Sequence, residues 1–143
     1  MSKLSTILLV DDDTTTNFLN KLLLTRLAVA EQLVVALNGR EALATVQQLC
    51  TASDTGCPAL ILLDVNMPVM NGIEFLEAYQ HLPLAQRGAI IIVLLTTSVS
   101  PRDLTRVQTL PIAGTVPKPL TAEKIQLLLQ QHFPSFSADS PDG

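Results

Sequence analysis

The chain has 143 residues, of which 48% are hydrophobic and 15% are charged, and its net charge is −4 at pH 7. This length and composition predict one domain with a sizeable buried core and argue against a disordered chain. Because lysine and arginine form no cluster, the sequence lacks the basic stripe of nucleic-acid-binding surfaces, so no nucleic-acid partner is expected.

Five apolar runs predict five strands. They lie at residues 7–10, 33–36, 60–63, 89–95 and, weakly, 115–116. The first four runs are continuous rather than alternating, which is typical of parallel strands that are covered on both faces.

Segments with the apolar spacing of a helix separate and follow these runs. The residues that mark four of them are Phe18, Leu19, Leu22 and Leu23; Ala42, Leu43, Val46 and Leu49; Ile73, Phe75, Leu76 and Tyr79; and Ile125, Leu128 and Leu129. A shorter helix is indicated by Leu104, Val107 and Leu110, with Pro101 in its first turn. The alternation βαβαβαβαβα predicts an α/β fold, in which a parallel sheet has helices on both faces.

Capping residues mark where some of these helices begin. Asp13 or Thr14 can cap the first helix and Thr121 the last, although Lys124 is not the Glu or Gln that completes a capping box. The last nine residues are small, polar and contain proline, which is typical of a frayed tail. The predicted domain therefore covers residues 1–133, followed by a tail at 134–143.

The N-terminus has neither the long apolar core nor the cleavage site of a signal peptide, and no apolar stretch approaches the length of a membrane span. The expected location is therefore cytoplasmic, without membrane contact. Cys50 and Cys57 are accordingly interpreted as reduced thiols, with a disulfide between them as the alternative. Their spacing and the lack of neighbouring histidines argue against a zinc site.

Polar residues follow the predicted strands at or near their C-terminal ends. They are Asp11, Asp12, Asp13, Asp64, Asn66, Thr96 and Lys118. The C-terminal ends of parallel strands share one edge of the sheet, where ligands bind. The sequence therefore predicts one pocket of carboxylates, a hydroxyl and an ammonium, which suits a divalent metal and a phosphoryl group.

Each residue type indicates a role in that pocket. Adjacent carboxylates repel one another, and a bound divalent cation relieves the repulsion; hard oxygen ligands favour Mg²⁺ or Mn²⁺. Asp13 is instead interpreted as a helix-start residue, because the helix macrodipole favours an acid there. Asp64 can act as a metal-oriented nucleophile that forms an acyl phosphate. Lys118, between Pro117 and Pro119, suits a point-charge phosphate binder.

In their order along the chain, these polar residues and the segments around them resemble the sequence pattern of the receiver domains of response regulators in two-component signalling. The resemblance spans residues 4 to about 133 and rests on the run that ends in Asp11-Asp12, the segments 38–43, 63–68 and 71–72, Leu95-Thr96, and Lys118-Pro119-Leu120. It implies a flavodoxin-like fold of five parallel strands, in the order 2-1-3-4-5, with five helices. It also implies a stand-alone, chemotaxis-regulator-like protein that is not an enzyme beyond self-phosphorylation and autodephosphorylation.

The resemblance implies that Asp64 accepts a phosphoryl group from a phosphohistidine of a sensor histidine kinase or phosphotransfer protein. Asp12 would bind Mg²⁺ directly, and Asp11 would act mainly through metal-bound water. Asn66 would add its backbone carbonyl, and Asp64 would complete the metal site.

Thr96 and Lys118 are implied to bind the phosphoryl group. Thr96 would hydrogen-bond a phosphoryl oxygen and move inward once Asp64 is modified. Lys118 would pair first with Asp64 and then with the phosphate, and its bond to Pro119 would be cis.

The sequence departs from the family pattern at Thr115, where the family usually has an aromatic residue that rotates with the threonine. Because Thr115 has no ring, this departure puts the usual aromatic switch in doubt. We predict instead that signalling relies on backbone movement of residues 96–101 and the following helix. Asn66 and Ser98 lie where family members tune autodephosphorylation.

Two surfaces are candidates for protein partners. The first helix is expected to meet the kinase or phosphotransfer helix through Phe18 and nearby exposed residues such as Thr14, Asn17 and Lys21. The alternative for Phe18 is a core position, which its spacing favours. The predicted helices at 102–110 and 121–132, with the strand between them, are expected to contact a downstream protein or a second copy in a weak dimer.

Two other hypotheses are weighed. Asp11, Asp13 and Thr15 also satisfy the Asp-x-Asp-x-Thr motif of haloacid-dehalogenase-type phosphatases, with Asp11 as the nucleophile and Asp13 as the acid/base. No acidic motif that could hold Mg²⁺ follows Lys118, however, and the hypothesis leaves Asp64 unexplained. A pseudo-receiver that only binds partners typically lacks the phosphoacceptor or the acid pair, and both are present.

Overall fold

The structure, a computed structural model, describes residues 3–50, 57–83, 90–97 and 101–133, apart from the side chain of Leu104. Within these residues the strands are β1 (Leu4–Val10), β2 (Ala30–Ala36), β3 (Leu60–Asp64), β4 (Ile91–Thr96) and β5 (Gly114–Pro117). The helices are α1 (Thr14–Leu27), α2 (Gly39–Leu49), α3 (Gly72–Tyr79), α4 (Pro101–Val107) and α5 (Ala122–His132). Strands and helices alternate as predicted, and the tail predicted at 134–143 lies outside the described residues.

The strands form one parallel sheet in the order β2-β1-β3-β4-β5. This confirms the predicted α/β fold and its strand order. β3 lies at the centre of the sheet, and β2 and β5 lie at its edges. The register pairs Val10 with Leu63 and Asp64 with Leu95, so the C-terminal ends of the three central strands reach the same edge.

Helices cover both faces of the sheet, and each face has its own buried cluster. On one face, α2, α3 and α4 pack on a set of strand residues that includes Leu8, Ile61, Leu63, Ile92 and Leu94. On the other face, α1 and α5 pack on the alternate set, which includes Ile7, Leu9, Leu60, Leu62 and Val93. Because burial of one such side chain contributes about 1.5–3 kcal/mol, the central strands form the stable frame of the molecule.

The helix starts agree with the predicted caps. Asp13 caps α1, Thr121 caps α5, and Pro101 is the first residue of α4. The apolar residues predicted to face the core from α3 and α5 are all buried. None of the helices in the described part of the chain combines the length and the apolar character that crossing a membrane requires.

Helix α1 turns a different face to the core from the one predicted. Its buried residues are Asn17, Asn20 and Leu24. Its exposed apolar residues are Phe18 at 61%, Leu19 at 56% and Leu22 at 46%. The predictions that Phe18 is a core residue and that Asn17 is exposed are therefore wrong. The helix is apolar over so wide an arc that periodicity does not select one face.

Cys50 and Cys57 form a disulfide, with their Cα atoms 4.5 Å apart, so the interpretation as reduced thiols is wrong for this structure. Cys50 directly follows α2 and Cys57 lies just before β3, and both are buried in the cluster under α2, α3 and α4. The lack of a secretion signal bears on the cellular compartment and not on the proximity of the two cysteines, which folding creates. The bond ties α2 to the strand that ends at Asp64.

Candidate functional site

Asp11, Asp64 and Lys118 meet at the C-terminal edge of the sheet. Asp11 directly follows β1, Asp64 is the last residue of β3, and Lys118 directly follows β5. The Nζ atom of Lys118 lies 2.8 Å from Oδ2 of Asp11 and 3.2 Å from Oδ1 of Asp64. The structure thus brings together three residues that the sequence placed on separate strands.

Asp12 completes a group of three carboxylates with Asp11 and Asp64. One carboxylate oxygen from each residue lies within 4.8 Å of the other two. Asp11 and Asp64 are buried, at 3% and 7% exposure, whereas Asp12 is exposed. Three carboxylate oxygens at this spacing are a donor set for a hard divalent cation, so these residues fit Mg²⁺. Asn66, predicted to add its backbone carbonyl, is exposed in the loop after β3.

Three hydrogen bonds hold Asp11 in addition to its ion pair. Its N–H donates to the carbonyl of Ala36 at 3.1 Å, and its Oδ1 accepts from the N–H of Asp13 at 2.9 Å. Its carbonyl accepts from Nδ2 of Asn17 at 2.8 Å. Asn17 is therefore a supporting residue of the site that sequence reasoning missed. No local signal distinguishes Asn17 from the other polar residues of α1, because polar and apolar residues are mixed along this helix.

The electrostatics of the site are dominated by burial and by the carboxylate pair. Burial raises the pKa of Asp64, the charge of Asp11 raises it further, and Lys118 acts in the opposite direction. Burial lowers the pKa of Lys118, but its hydrogen bond to Asp11 and the charges of Asp11 and Asp64 outweigh burial, so the pKa is raised. Lys118 is therefore charged at neutral pH. A divalent cation would relieve the unfavourable surroundings of ionised Asp64.

Asp13 serves the helix and not the carboxylate group. Its Oδ1 accepts from the N–H of Thr15 at 3.0 Å, and its Oδ2 accepts from the hydroxyl of Thr16 at 2.9 Å. The hydrogen bonds from the Thr16 side chain and the Thr15 backbone lower the pKa of Asp13. This agrees with its interpretation as a helix-start residue.

Close backbone contacts shape the loop that follows Asp64. The N–H of Gly72 donates to the carbonyl of Val65 at 2.9 Å, and a Cβ atom at position 72 would collide with the backbone oxygen of Asp64. The N–H of Gly39 donates to the carbonyl of Met70 at 2.8 Å and so joins the start of α2 to this loop. Glycine at position 72 is therefore required for α3 to begin this close to Asp64.

Thr96 lies beside the turn that carries Lys118. It is the last residue of β4, and its carbonyl accepts from the N–H of Lys118 at 2.7 Å. Its side chain is partly exposed, and Thr115 of β5 is exposed. Ser98, predicted to tune autodephosphorylation, lies outside the described residues.

The turn itself is held from α5. The peptide bond from Lys118 to Pro119 is cis, as the resemblance implied. The Nζ atom of Lys124 donates to the carbonyls of Pro117 and Pro119, each at 2.8 Å. The sequence identified Lys124 only as a residue that fails to complete a capping box. The path of the chain from 117 to 124 creates these contacts.

The family model of the response regulator receiver domain matches residues 7–130 of the chain. The protein therefore belongs to this family, whose members are signalling domains of two-component systems rather than classical enzymes. Receiver domains of this family typically bind Mg²⁺.

Individual relatives agree with this assignment. The response regulator Rcp1 from Synechocystis sp. is 34% identical over 98 residues, which cover 68% of this chain and 65% of that protein. The match thus spans slightly less than two thirds of the relative's length. A two component response regulator from Cytophaga hutchinsonii has a similar structure, with a TM-score of 0.81, 28% identity, and coverage of 93% of this chain and 99% of that chain. The chemotaxis protein CheY4 from Vibrio cholerae has a TM-score of 0.72 and 30% identity, with coverage of 91% and 99%.

Proposed function

We propose that the protein is a phosphorylatable receiver in which Asp64 accepts a phosphoryl group from the phosphohistidine of a histidine kinase or phosphotransfer protein. The observation that carries this proposal is the contact of one ammonium, Lys118 Nζ, with the carboxylates of both Asp11 and Asp64. An ammonium in this position can stabilise the charge that develops when the nucleophile and the phosphoryl group approach each other.

Asp64 is the proposed nucleophile because it ends the central strand and lies beside both the second buried carboxylate and the ammonium. One of its carboxylate oxygens forms a bond to phosphorus, while the bond from phosphorus to the imidazole nitrogen breaks and the imidazole leaves with that electron pair. The product is an acyl phosphate, with a charge of about −1.5 to −2 and three strong acceptor oxygens.

Asp11, Asp12 and Asp64, together with the backbone carbonyl of Asn66, are proposed to hold Mg²⁺ at this site. When bound, the ion would neutralise charge on the phosphoryl oxygens, and Mn²⁺ could replace it on the same hard donors. The raised pKa of Asp64 supports this proposal, because ionised Asp64 lacks sufficient compensation from Lys118 alone.

Thr96 and Lys118 are proposed to bind the phosphoryl oxygens once Asp64 is modified. The carbonyl of Thr96 accepts the N–H of Lys118, so a backbone shift at either residue would act on the other. Signalling is proposed to rely on movement of residues 96–101 and α4, although residues 98–100 lie outside the described residues. Arg106 of α4 forms an ion pair with Glu77 of α3 at 2.6 Å. A movement of α4 would either break this ion pair or move α3 together with α4.

The exposed face of α1 is proposed as the docking surface for the phosphodonor. Phe18, Leu19 and Leu22 form an apolar patch there. A cavity of about 480 Å³ lies between α1 and the turn after β5, and its lining includes Leu19 and Lys118. An apolar surface that adjoins the pocket of Lys118 fits a partner helix that brings its phosphohistidine to Asp64.

The face formed by α4, β5 and α5 is proposed as the output surface, for a downstream protein or for a second copy in a weak dimer. Leu127 of α5 is 58% exposed on this face. We place the receiver unit at residues 1–133 and propose that Asn66 and Ser98 influence how long the phosphoryl group persists.

The test is to incubate the full chain with acetyl phosphate, with and without Mg²⁺, and to locate the phosphoryl group by peptide mass spectrometry. We expect one group on Asp64 that requires Mg²⁺, is absent from Asp64→Asn and is retained in the control Asp13→Asn. A phosphoryl group on Asp11 would instead support the phosphatase hypothesis. That hypothesis needs Asp13 as the acid/base, whereas Asp13 caps α1. No modification despite bound Mg²⁺ would support a pseudo-receiver.

A further inference from the structure

Lys124 makes a pair of contacts with the turn that carries Lys118. It lies in the first turn of α5, and its Nζ atom donates hydrogen bonds to the carbonyls of Pro117 and Pro119, each at 2.8 Å. These two carbonyls belong to the residues on either side of Lys118. One ammonium therefore holds both flanks of the residue that presents the other ammonium to the carboxylate pair.

Among the described residues, the turn has few other contacts that could fix its position. Proline has no N–H group, so Pro117 and Pro119 donate no backbone hydrogen bond. The N–H of Lys118 donates to the carbonyl of Thr96 at 2.7 Å. β5, which leads into the turn, is an edge strand of 4 residues, none of which is fully buried. Apolar support near the turn comes from Val116 and Leu120, which are partly buried and pack against the cluster under α1 and α5. This support is limited, so the contact from α5 contributes to the placement of Lys118.

The position of Lys124 in α5 is unfavourable for the helix alone. The hydroxyl of Thr121, the N-cap, accepts from the N–H of Lys124 at 3.2 Å, so Lys124 stands where a capping box has Glu or Gln. The N-terminal end of a helix carries partial positive charge and disfavours a cation. The two hydrogen bonds from the ammonium to the turn offset this effect, since hydrogen bonds from charged donors are the stronger ones. A residue that breaks a local rule in this way is often retained for a function.

We propose that Lys124 is a positioning residue for phosphoryl transfer, which holds residues 117–119 so that the ammonium of Lys118 stays between Asp11 and Asp64. This inference rests on the proposed function. Lys124 touches neither the metal site nor the reacting atoms and acts through Lys118. Because Asp11 and Asp64 are held by β1 and β3, loss of Lys124 leaves the metal site in place while phosphorylation slows.

The test compares four forms of the full chain: wild type, Lys124→Met, Lys124→Arg and Lys3→Met. Methionine keeps the side-chain stem without a donor, whereas arginine can donate to both carbonyls. Lys3 is exposed just before β1, so its substitution is a matched control for the loss of one positive charge. With acetyl phosphate and Mg²⁺, we expect Lys124→Met to lower the rate constant of Asp64 phosphorylation about ten-fold, which corresponds to a displacement smaller than the 1 Å that can cost about 100-fold. Lys124→Arg should recover most of the rate, and Lys3→Met should equal wild type.

Two measurements separate positioning from a merely structural role. The affinity for Mg²⁺, measured by titration calorimetry, should not be lower in Lys124→Met than in wild type, because the carboxylates are intact and a displaced Lys118 ammonium repels the cation less. The ¹⁹F resonances of bound trifluoroberyllate, a phosphoryl mimic, should shift in Lys124→Met and return towards the wild-type positions in Lys124→Arg, because they report the placement of Lys118.

The outcomes distinguish this inference from the proposed function. Failure of wild type to become phosphorylated on Asp64 would refute the proposed function itself. Equal rates in wild type and Lys124→Met, or an equal loss in Lys3→Met, would overturn the positioning role. If Lys124→Met does not fold, Lys124→Gln, which is too short to reach both carbonyls, is measured by the same criteria. Unfolding of both variants would assign the side chain to stability and would also overturn the inference.

Discussion

The central strands and the edge strand hold the two halves of the candidate site in different ways. β1 and β3 carry the carboxylates of Asp11 and Asp64, and their apolar side chains are buried in the two clusters. Lys118 directly follows β5, which among the described strands pairs only with β4 and whose residues are not fully buried. Apolar packing therefore fixes the acidic half of the site, whereas hydrogen bonds with Thr96 and Lys124 fix the cationic half.

This difference suits a site whose charge changes during its reaction. A packed core does not deform continuously, so the nucleophile keeps its position. Hydrogen bonds at an exposed edge exchange more readily, since each contributes only about 0.5–1.5 kcal/mol net, or about 1.5–3 kcal/mol where the donor is charged, as in Lys124. We therefore expect the edge strand and its turn to respond when Asp64 gains a phosphoryl group, while β1 and β3 stay in place.

Truncation of an apolar side chain in β3 should lower the free energy of unfolding much more than a truncation in β5. Leu62 of β3 is 0% exposed, so Leu62→Ala should lower the free energy of unfolding by about 2–5 kcal/mol. Val116 of β5 is only partly buried, and Val116→Ala should cost about 1 kcal/mol. Urea denaturation followed by circular dichroism measures both, and equal losses would contradict the comparison.

Mg²⁺ should stabilise the acidic half. An ion that binds only the folded protein adds about 2.7 kcal/mol to the free energy of unfolding at about 100 times its dissociation constant. Thermal denaturation with increasing Mg²⁺ measures this effect, which should be strongly reduced in Asp12→Asn because that carboxylate belongs to the metal group. A wild-type response in Asp12→Asn would remove Asp12 from the site.

Without Mg²⁺, loss of the Asp64 carboxylate should stabilise the fold. Burial and the charge of Asp11 raise the pKa of Asp64, so its ionised form destabilises the fold. Asp64→Asn should therefore be more stable than wild type at pH 7. Because folded Asp64 takes up its proton at a higher pH than unfolded Asp64, this advantage should shrink as the pH falls through the folded pKa. An advantage that grows on acidification would contradict the assigned direction.

Reduction of the Cys50–Cys57 disulfide should weaken the support of β3. The two cysteines are separated by 7 positions, and closure of so short a loop corresponds to about 2.5 kcal/mol in the chain-entropy model. Urea denaturation with and without dithiothreitol measures the difference. The double variant Cys50→Ser/Cys57→Ser is the control and should not respond to the reductant; an unchanged wild-type midpoint would mean that the bond adds no stability.

The smallest change in stability is expected for a side chain that supports neither half of the site. Phe18 is 61% exposed, so Phe18→Ala should alter the free energy of unfolding by no more than about 0.5 kcal/mol. The Phe18→Ala variant should be phosphorylated by acetyl phosphate at the wild-type rate, while phosphotransfer from a cognate kinase to this variant should slow. Leu24→Ala, at a position that is 1% exposed, is the buried control on the same helix and should cost about 2–5 kcal/mol. Unchanged phosphotransfer would remove this patch from the docking surface.

The parts of the fold that could be predicted are those that neighbouring residues encode. The continuous apolar run before Asp64 predicted a buried strand, and the spacing in α3 predicted four residues that are all buried. The caps Asp13 and Thr121 act within three residues of their own positions, so they too are visible in the sequence. The convergence of Asp11, Asp64 and Lys118 followed from topology, because the C-terminal ends of parallel strands share an edge.

The sequence by itself thus determined the alternation of strands and helices and the strand ends at which the polar residues stand. Only the tertiary structure decided that Asn17 rather than Phe18 faces the core, because α1 is apolar over too wide an arc for its spacing to choose. It also decided that Cys50 meets its partner cysteine and that Lys124 holds the turn around Lys118. These outcomes depend on how whole elements pack and on where the chain turns, and a local pattern contains neither.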